Sequence, residues 1–174
     1  QYKIIKNIAK RKKLKIYTIE STKGSLELIK HSYQDDKQVL QIKYNNKIYL
    51  LSVNLIGKVQ IKNILMAMIA AEKSGLKFDK IVKTIKKIKN VNGRFEKIGK
   101  LKNNSTVILD YAHSPDALKN CLQNIKDQFS DKKISIVFGC GGDRDKNKRS
   151  QMGKIANKFC QKIYLTDDNP RYEN

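Results

Sequence analysis

The 174-residue sequence predicts an α/β fold whose C-terminal half contains a parallel sheet. Three short strand-like runs, at 106–110, 134–140 and 162–167, carry this prediction. The first two are continuously apolar, as expected for strands that are buried on both faces. Segments of helical length separate the runs, which gives the order β-α-β-α-β. That order implies parallel strands joined by right-handed crossovers.

The helices between these runs have recognisable beginnings. Ser114-Pro115-Asp116 supplies an N-cap, a proline at the first helical position and an acid in the first turn, so it predicts a helix that runs to about Phe129. Gly141-Gly142 turns the chain out of the second strand and into a helix near 149–160. Each crossover therefore contains the helix that a parallel sheet requires.

The N-terminal half is predicted to alternate helices with strands, and residues 21–37 are interpreted as a polar stretch. Asn45-Asn46 separates two alternating runs and indicates a tight hairpin. Gly75 ends a strong helix in the C′ position, and Gly93 marks a change of character, so we predict domains over 1–92 and 93–174. The predicted elements of this half are a helix over 2–13, strands over 14–20, 38–44 and 47–53, and helices over 60–74 and 78–88.

The net charge is the most unusual feature of the composition. Lysine and arginine number 37 against 16 acids, which gives +21, and 32 of these cations are lysines scattered along every segment. Arginine is the residue favoured for bidentate contacts to phosphates and bases, so we interpret the lysine excess as solvated surface and expect no nucleic-acid partner. The alternative is a basic nucleic-acid-binding module, which salt-sensitive binding to generic DNA or RNA would reveal.

The few arginines are more informative than the lysines. Residues 1–92 hold 21 cations against 6 acids, and residues 93–174 hold 16 against 10. The second half nevertheless contains four of the five arginines, in places where the bulk composition would have supplied lysine. They are Arg94, Arg144, Arg149 and Arg171.

Composition and spacing exclude several classes of protein. No apolar run approaches the roughly 20 residues of a membrane-spanning helix, so no membrane insertion is expected. Cys121, Cys140 and Cys160 are far apart and odd in number, which argues against a disulfide framework and fits a reducing, cytoplasmic compartment. The sequence contains no defensible Ser-His-Asp or Cys-His arrangement, and no metal ligands are predicted.

Polar clusters follow each of the three predicted C-terminal strands. They are Asp110–His113, Gly139–Asp145 and Thr166–Arg171. Ligands of open parallel sheets bind beyond the carboxyl ends of the strands, so we expect the clusters to share one edge of the sheet.

Each cluster also has an ordinary structural interpretation. Asp110 could cap a turn and His113 could merely begin a helix. Gly141-Gly142 could be a tight loop, or its amides together with Arg144 could attract an anion. Arg171 could be a surface residue, or it could clamp the carboxylate of a zwitterionic ligand whose ammonium the neighbouring acids bind.

The clusters resemble motifs of a known family. D-Y-A-H-S-P-D-A at 110–117, G-C-G-G-D-R-D-K at 139–146 and D-N-P-R at 168–171 resemble three blocks of the Mur ligases, of the type called UDP-N-acetylmuramoyl-tripeptide synthetase. Gly93–Glu96 resembles the block that opens the C-terminal domain of the family, and 55–63 resembles a segment late in its central domain. The resemblance covers roughly residues 50–174.

The resemblance implies a larger, three-domain enzyme. Residues 1–92 would be the end of its central α/β ATPase domain, and residues 93–174 most of a Rossmann-like C-terminal domain. The chain has no Gly-x-x-x-x-Gly-Lys-[Ser/Thr] loop, so it is not expected to be catalytically competent alone. A related Mur or folylpolyglutamate-type ligase that uses another amino acid is the alternative within enzymes.

The resemblance also implies a reaction, namely ATP-dependent amide formation with Mg²⁺. In it, meso-2,6-diaminopimelate is added to UDP-MurNAc-L-Ala-D-Glu through an acyl phosphate, in peptidoglycan synthesis. By the same resemblance Arg94 contacts an ATP phosphate and is the catalytic candidate. The other nucleotide-side candidates are Asp110 at the ribose, Tyr111 and His113 around the nucleotide, and Asn63 near the adenine. Arg144, Asp168, Asn169 and Arg171 would bind the amino acid.

Overall fold

The computed structural model describes residues 2–20, 25–34 and 36–173. Its elements are α1 (Tyr2–Arg11), β1 (Ile19–Glu20), β2 (Leu26–Gln34), β3 (Lys37–Tyr44), β4 (Lys47–Val53), α2 (Lys58–Lys73), α3 (Phe78–Ile85), β5 (Glu96–Lys100), β6 (Thr106–Leu109), α4 (Pro115–Gln128), β7 (Ser135–Phe138), α5 (Asn147–Phe159) and β8 (Lys162–Leu165). The chain forms two compact units. The first comprises residues 1–54 and 60–88, and the second comprises 55–59 and 89–174.

The first unit is built on a four-stranded sheet in the order β1-β2-β3-β4. Asn45 and Asn46 both have positive φ, 46° and 61°, which is the geometry of a type I′ turn and confirms the predicted hairpin. Phe78, at the start of α3, stacks on Tyr44 with ring centroids 4.0 Å apart, and it meets the edge of Tyr49. The hairpin and α3 are therefore fixed together by aromatic packing.

Three predictions for the first unit differ from the structure. The described part of the polar stretch contains β2. Its mixed lysine, histidine and serine residues gave no strand pattern in the sequence, because this strand is defined by its pairing with β3 rather than by apolar content. Of the strand predicted over 14–20, only Ile19–Glu20 is paired. The helix predicted to reach Ile88 ends at Ile85, and i→i−3 bonds tighten the chain there, including Ile88 N–H to the Ile85 carbonyl at 3.1 Å.

The second unit is mixed α/β and contains a parallel strand pair, which confirms the predicted fold class. β7 and β8 pair in parallel, with Phe138 opposite Leu165. The expectation that 106–110 belongs to the same parallel sheet is wrong for the described strands: β6 pairs antiparallel with β5 instead. Sequence patterning missed β5 because its five residues, EKIGK, include a single large apolar side chain and a bulge between Lys97 and Gly99.

Helix α4 is the centre of the second unit. As predicted, it begins after Ser114, whose hydroxyl accepts the Ala117 N–H at 3.3 Å. One side of α4 buries Cys121 in a cluster with Ile56 and Phe95. The other side packs Leu118 and Leu122 against Met152 of α5. Each fully buried side chain of this size contributes roughly 1.5–3 kcal/mol, so α4 is the support on which the surrounding loops rest.

Residues 55–59 belong to this second unit through two side chains of α4. The Gly57 N–H donates to the Gln128 side-chain oxygen at 3.0 Å, and the Val59 N–H donates to that of Asn124 at 3.3 Å. Gln128 is buried, so its bond to Gly57 is shielded from water. Two short-range polar bonds thus hold a segment that is distant in sequence from the rest of the unit.

Helix α2 is terminated, as predicted, by Gly75 in the C′ position. Its φ is +98°, its N–H donates to the Glu72 carbonyl at 2.9 Å, and the Leu76 N–H donates to the Ala71 carbonyl at 3.2 Å. This is the Schellman arrangement, in which a left-handed residue satisfies the last carbonyls of a helix.

We expect Gly75→Ala to lower the free energy of unfolding by about 1 kcal/mol, because a side chain is disfavoured at positive φ although nothing lies within 4 Å of its Cβ. The matched control is Gly153→Ala within α5, where the surroundings are equally open and the backbone is helical, so it should stabilise by about 0.5–1 kcal/mol. Urea denaturation of the two variants measures both values, and shifts of the same sign would contradict the assignment.

Candidate functional site

The sequence-predicted site residues of the second unit fall into two groups. The first cluster consists of Arg94, Asp110, Tyr111 and His113, around the end of β6. The second cluster consists of the loops 139–146 and 166–173, which follow β7 and β8. The remaining candidate, Asn63, lies in the first unit, exposed on α2, where its amide donates to the Gln60 side-chain oxygen at 3.2 Å.

Asp110 organises the first cluster. Its Oδ2 accepts the Phe95 N–H at 2.9 Å, and Phe95 is a buried residue with a φ of 48°. A left-handed conformation costs a non-glycine residue about 1–2 kcal/mol, so it persists only where the surroundings enforce it. The Asp110 bond and the burial of the Phe95 ring do so. A second bond within the loop, from Gly93 N–H to the Glu96 carboxylate at 2.7 Å, closes the turn.

The turn at Phe95 presents the neighbouring Arg94 on the surface. The Arg94 guanidinium carbon lies 5.0 Å from the centre of the exposed Tyr111 ring, a cation–π distance. The His113 ring is 5.1 Å from that of Tyr111, and its Nδ1 lies 3.1 Å from the Tyr111 carbonyl oxygen. A cation, two planar rings and a carboxylate, from the loop before β5 and the loop after β6, therefore meet at the end of β6. This combination can hold phosphate oxygens, a planar ring system and hydroxyl groups.

Cys121 lies directly under this cluster. Burial, followed by the adjacent Asp110 carboxylate, raises the pKa of the Cys121 thiol to about 12. The sequence-based interpretation of this cysteine as a core residue is confirmed. The proximity of Cys121 to Asp110 was not predictable from the sequence, because the two residues belong to different elements and no local pattern connects them.

The second cluster depends on two glycines that allow backbones to approach closely. A Cβ on Gly142 would overlap the Pro170 carbonyl, and a Cβ on Gly139 would overlap the Thr166 carbonyl and lie 3.0 Å from the Asp168 Cβ. The Gly142 N–H donates to the Asn169 carbonyl at 3.0 Å. The sequence left open whether the Gly141-Gly142 turn is a tightly packed loop or a site whose amides attract an anion. Because the Gly142 N–H already donates to the facing loop, this amide supports the tightly packed loop.

Three non-glycine residues of the second cluster have left-handed backbones. They are Asp143, Asn169 and Arg171, with φ of 49°, 40° and 57°. The Asp143 N–H donates to the Glu173 Oε1 at 2.9 Å, and the Asp143 carboxylate accepts the Tyr172 N–H at 3.4 Å. Hydrogen bonds between the two loops thus stabilise the left-handed backbone of Asp143, as the Asp110 carboxylate stabilises that of Phe95.

Glu173 and Arg149 complete the second cluster, and sequence reasoning assigned neither a role. Glu173 Oε2 pairs with the Arg149 Nη2 at 2.6 Å, and Oε1 lies 3.5 Å from the Lys146 Nζ. The Arg149 contact, followed by the hydrogen bond from Asp143, holds the pKa of Glu173 below its usual value. The sequence offered one indication that Arg149 has a specific role, namely that it is an arginine in a chain whose cations are mostly lysines.

A pocket of about 260 Å³ opens at the second cluster, with Asp168, Arg149 and Glu173 in its lining. Arg144 and Arg171 are exposed on the two loops, and Asn169 contributes its carbonyl to the loop contact. The structure therefore brings the loops of all four amino-acid-site candidates together. A separate bond, from Lys148 Nζ to the His113 carbonyl at 3.1 Å, links the first turn of α5 to the first cluster.

Within the described residues, no group of three or more His, Cys, Asp or Glu side chains could hold a metal ion. No helix in that part of the chain is long and apolar enough to cross a membrane.

The C-terminal part of the chain matches a known family. Residues 93–174 match the family model described as Mur ligase, glutamate ligase domain. The matched range includes both clusters and excludes Asn63.

Comparisons with individual proteins cover the whole chain. It is 39% identical over 177 residues to the UDP-N-acetylmuramoyl-L-alanyl-D-glutamate–2,6-diaminopimelate ligase of Rickettsia typhi, across 100% of this chain and 35% of the relative. The ligase of that name from a Chelativorans species is 36% identical, across 92% of this chain and 33% of the relative. The chain thus spans about a third of the length of these relatives.

Solved structures that resemble this chain also cover nearly all of it, while the chain covers less than half of each of them. A ligase of the same name superposes with a TM-score of 0.67 at 30% identity, over 98% of this chain and 35% of that one. Folylpolyglutamate synthetase from Lactobacillus casei superposes with a TM-score of 0.72 at 16% identity, over 96% and 43%, which shows a shared fold.

We expect Gly142→Ala to lower the free energy of unfolding by about 1–3 kcal/mol, because its Cβ must displace the backbone of the facing loop. Gly141→Ala is the matched control, since its Cβ would meet nothing closer than 3.7 Å and should change stability by less than about 1 kcal/mol. Urea denaturation compares the two variants. Equal effects would show that the loops are not closely packed at Gly142.

We expect Cys121 to resist alkylation in the native protein. With a pKa of about 12, only about one thiol in 10⁴ is ionised at pH 8, against about one in four for an ordinary cysteine. Because the native pKa is raised, this thiol stabilises the fold fully below pH 8–9, and that contribution is lost as the pH rises towards 12. Iodoacetamide labelling followed by mass spectrometry, with the urea-unfolded protein as control, measures the protection. Equal labelling rates in both states would overturn it.

Proposed function

The chain belongs to the Mur ligase family through residues 93–174, and on this premise we propose that the whole protein is an ATP-dependent acid–amino-acid ligase of peptidoglycan synthesis. It joins meso-2,6-diaminopimelate to UDP-MurNAc-L-Ala-D-Glu, the reaction that the names of the relatives describe. Residues 1–92 are the end of the central ATPase domain, and residues 93–174 are most of the C-terminal domain.

The single observation that best supports this proposal is the joining of two loops in the second cluster. The bond from Gly142 to Asn169 holds the loop of Arg144 against the loop of Asp168 and Arg171. Guanidinium groups recognise carboxylates, and a carboxylate recognises an ammonium group. Diaminopimelate carries two of each, so this surface has the complementary charges for it.

The first cluster is proposed as the nucleotide side. Its donor set fits ATP: Arg94 is exposed beside the Tyr111 ring and can reach phosphate oxygens, and Asp110 keeps acceptor positions for ribose hydroxyls beyond its bond to Phe95. Tyr111 and His113 shape the site, and Asn63 is proposed near the adenine. ATP, when bound, supplies the phosphoryl group that activates the carboxylate of the dipeptide as an acyl phosphate.

The chain's own residues then orient the incoming amine. Asp168 takes the ammonium group, and Arg144 and Arg171 hold carboxylates. Asn169, whose carbonyl joins the two loops, also contacts the amino acid. The deprotonated amine attacks the acyl carbon, the amide bond forms and inorganic phosphate leaves. Holding both reactants in reacting geometry is the main contribution that such binding residues make to the rate.

Magnesium ion is implied by the family, and such an ion is commonly held by one or two carboxylates together with substrate phosphates rather than by a protein cage, which the described residues do not provide. They contain no group of three or more side chains suited to a metal. No step is therefore assigned to Mg²⁺ on this chain.

We expect Arg171→Ala in the full-length enzyme to raise the KM for diaminopimelate by about tenfold or more and to leave the KM for ATP within about twofold. The guanidinium binds the distal carboxylate of the amino acid, and a charged hydrogen bond contributes roughly 1.5–3 kcal/mol. Phosphate release at varied substrate concentrations measures both constants.

Lysine, which lacks that carboxylate, is the matched substrate control. The wild type should prefer diaminopimelate to lysine. Arg171→Ala should reduce this preference by raising the KM for diaminopimelate while leaving the KM for lysine unchanged. Equal use of lysine by the wild type would contradict the proposed substrate, and an unchanged KM in the variant would contradict the role of Arg171.

A further inference from the structure

We propose that Glu173 and Arg149 are a positioning pair for the amino-acid site: their contact holds the two loops that carry Arg144 and Arg171 in one fixed arrangement. The inference rests on the proposed function, because it names residues that act through the proposed amino-acid ligands. Both residues line the pocket of the second cluster, and the role assigned to them is to hold the two loops rather than to bind the substrate.

The arrangement needs an external restraint because its backbone is unfavourable. Asn169 and Arg171 are left-handed, and so is Asp143 next to Arg144. The left-handed conformation costs a residue such as Arg171 about 1–2 kcal/mol, and costs asparagine and aspartate less, so the unrestrained loops would favour other conformations in which the guanidinium groups move. The glycine contact between Gly142 and Asn169 fixes one point and leaves the segment after Pro170 to be fixed elsewhere.

Glu173 supplies that second point. Its N–H donates to the Pro170 carbonyl at 3.0 Å, which folds the chain back across Arg171. Its Oε1 accepts the Asp143 N–H at 2.9 Å, so one carboxylate joins the two loops directly. Loss of this side chain would leave the Asp143 amide without that acceptor and release the end of the second loop.

Arg149 anchors Glu173 to the body of the unit. It lies in the first turn of α5, whose Met152 and Ala156 are fully buried, so the guanidinium is attached to a rigid helix. Its Nη2 is 2.6 Å from Glu173 Oε2, and the two side chains are 36% and 20% exposed. Partial burial and the short distance distinguish this pair from an ordinary surface ion pair.

Lys146 provides an internal control on the same carboxylate. Its Nζ is 3.5 Å from Glu173 Oε1 and its side chain is 70% exposed. Solvent-exposed pairs of this kind contribute little, so the restraint is carried by Arg149.

The test uses the full-length enzyme and measures the KM for diaminopimelate, the KM for ATP and kcat in four variants. Glu173→Ala and Arg149→Ala should each raise the KM for diaminopimelate by about tenfold or more, since displacing a positioned group by about 1 Å can cost as much as 10²-fold. The double variant should show no larger increase than either single variant, because both remove one contact. Lys146→Ala should stay within about twofold.

A merely structural role would lower the melting temperature and the fraction of active enzyme without separating the two KM values. The KM for ATP within twofold of wild type, combined with the raised KM for diaminopimelate, therefore supports positioning. An unchanged KM for diaminopimelate, equal changes in both KM values, or additive effects in the double variant would overturn it. Should Glu173→Ala not fold, Glu173→Gln keeps the acceptor for Asp143, removes the charge and is judged by the same split.

Failure of this inference is distinguishable from failure of the proposed function. If the wild-type enzyme shows no phosphate release that depends on diaminopimelate, the proposed function fails before any variant is compared. If the wild type is active and the variants keep its KM values, the positioning pair alone is refuted.

Discussion

The close approach of two loop backbones at the ends of β7 and β8 is the constraint on which the second cluster depends. Parallel pairing places Phe138 beside Leu165, and the Thr166 N–H extends the ladder to the Phe138 carbonyl at 3.2 Å. The loops therefore begin side by side. They remain so only because Gly139 and Gly142 have no side chain where the facing carbonyls lie. The pairing of β7 with β8 therefore determines where the two loops begin, and the absence of Cβ atoms at Gly139 and Gly142 allows their backbones to stay in contact.

Both clusters present an arginine by the same physical means. In each, a carboxylate accepts the N–H of a left-handed residue with a side chain: Asp110 does so for Phe95, and Glu173 does so for Asp143. The neighbouring residue in the sequence is an exposed arginine, Arg94 in one case and Arg144 in the other. An unfavourable backbone held by a carboxylate thus directs a flexible cationic side chain outward from a fixed point.

Much of this architecture was predictable because local chemistry determines it. Ser114 and the proline after it define the start of α4, and Asn45-Asn46 defines the hairpin, without reference to the rest of the chain. β5 was not predictable, since its polar residues form a strand only because β6 lies beside them. For the same reason the sequence pointed to the polar loops after β7 and β8 but not to the pairing of Glu173 with Arg149, which joins elements that no periodicity relates.

The contrast between lysine and arginine explains which part of the large positive charge matters. Lys47 and Lys132 form ion pairs whose partners are more than half exposed, and salt and water weaken such pairs. Arg149 instead forms a short, half-buried contact. A lysine ammonium is a strongly hydrated point charge, and it would lose more hydration there and offer no planar fork to the carboxylate. The lysines therefore cover the surface, while the geometry of the second unit depends on the guanidinium group.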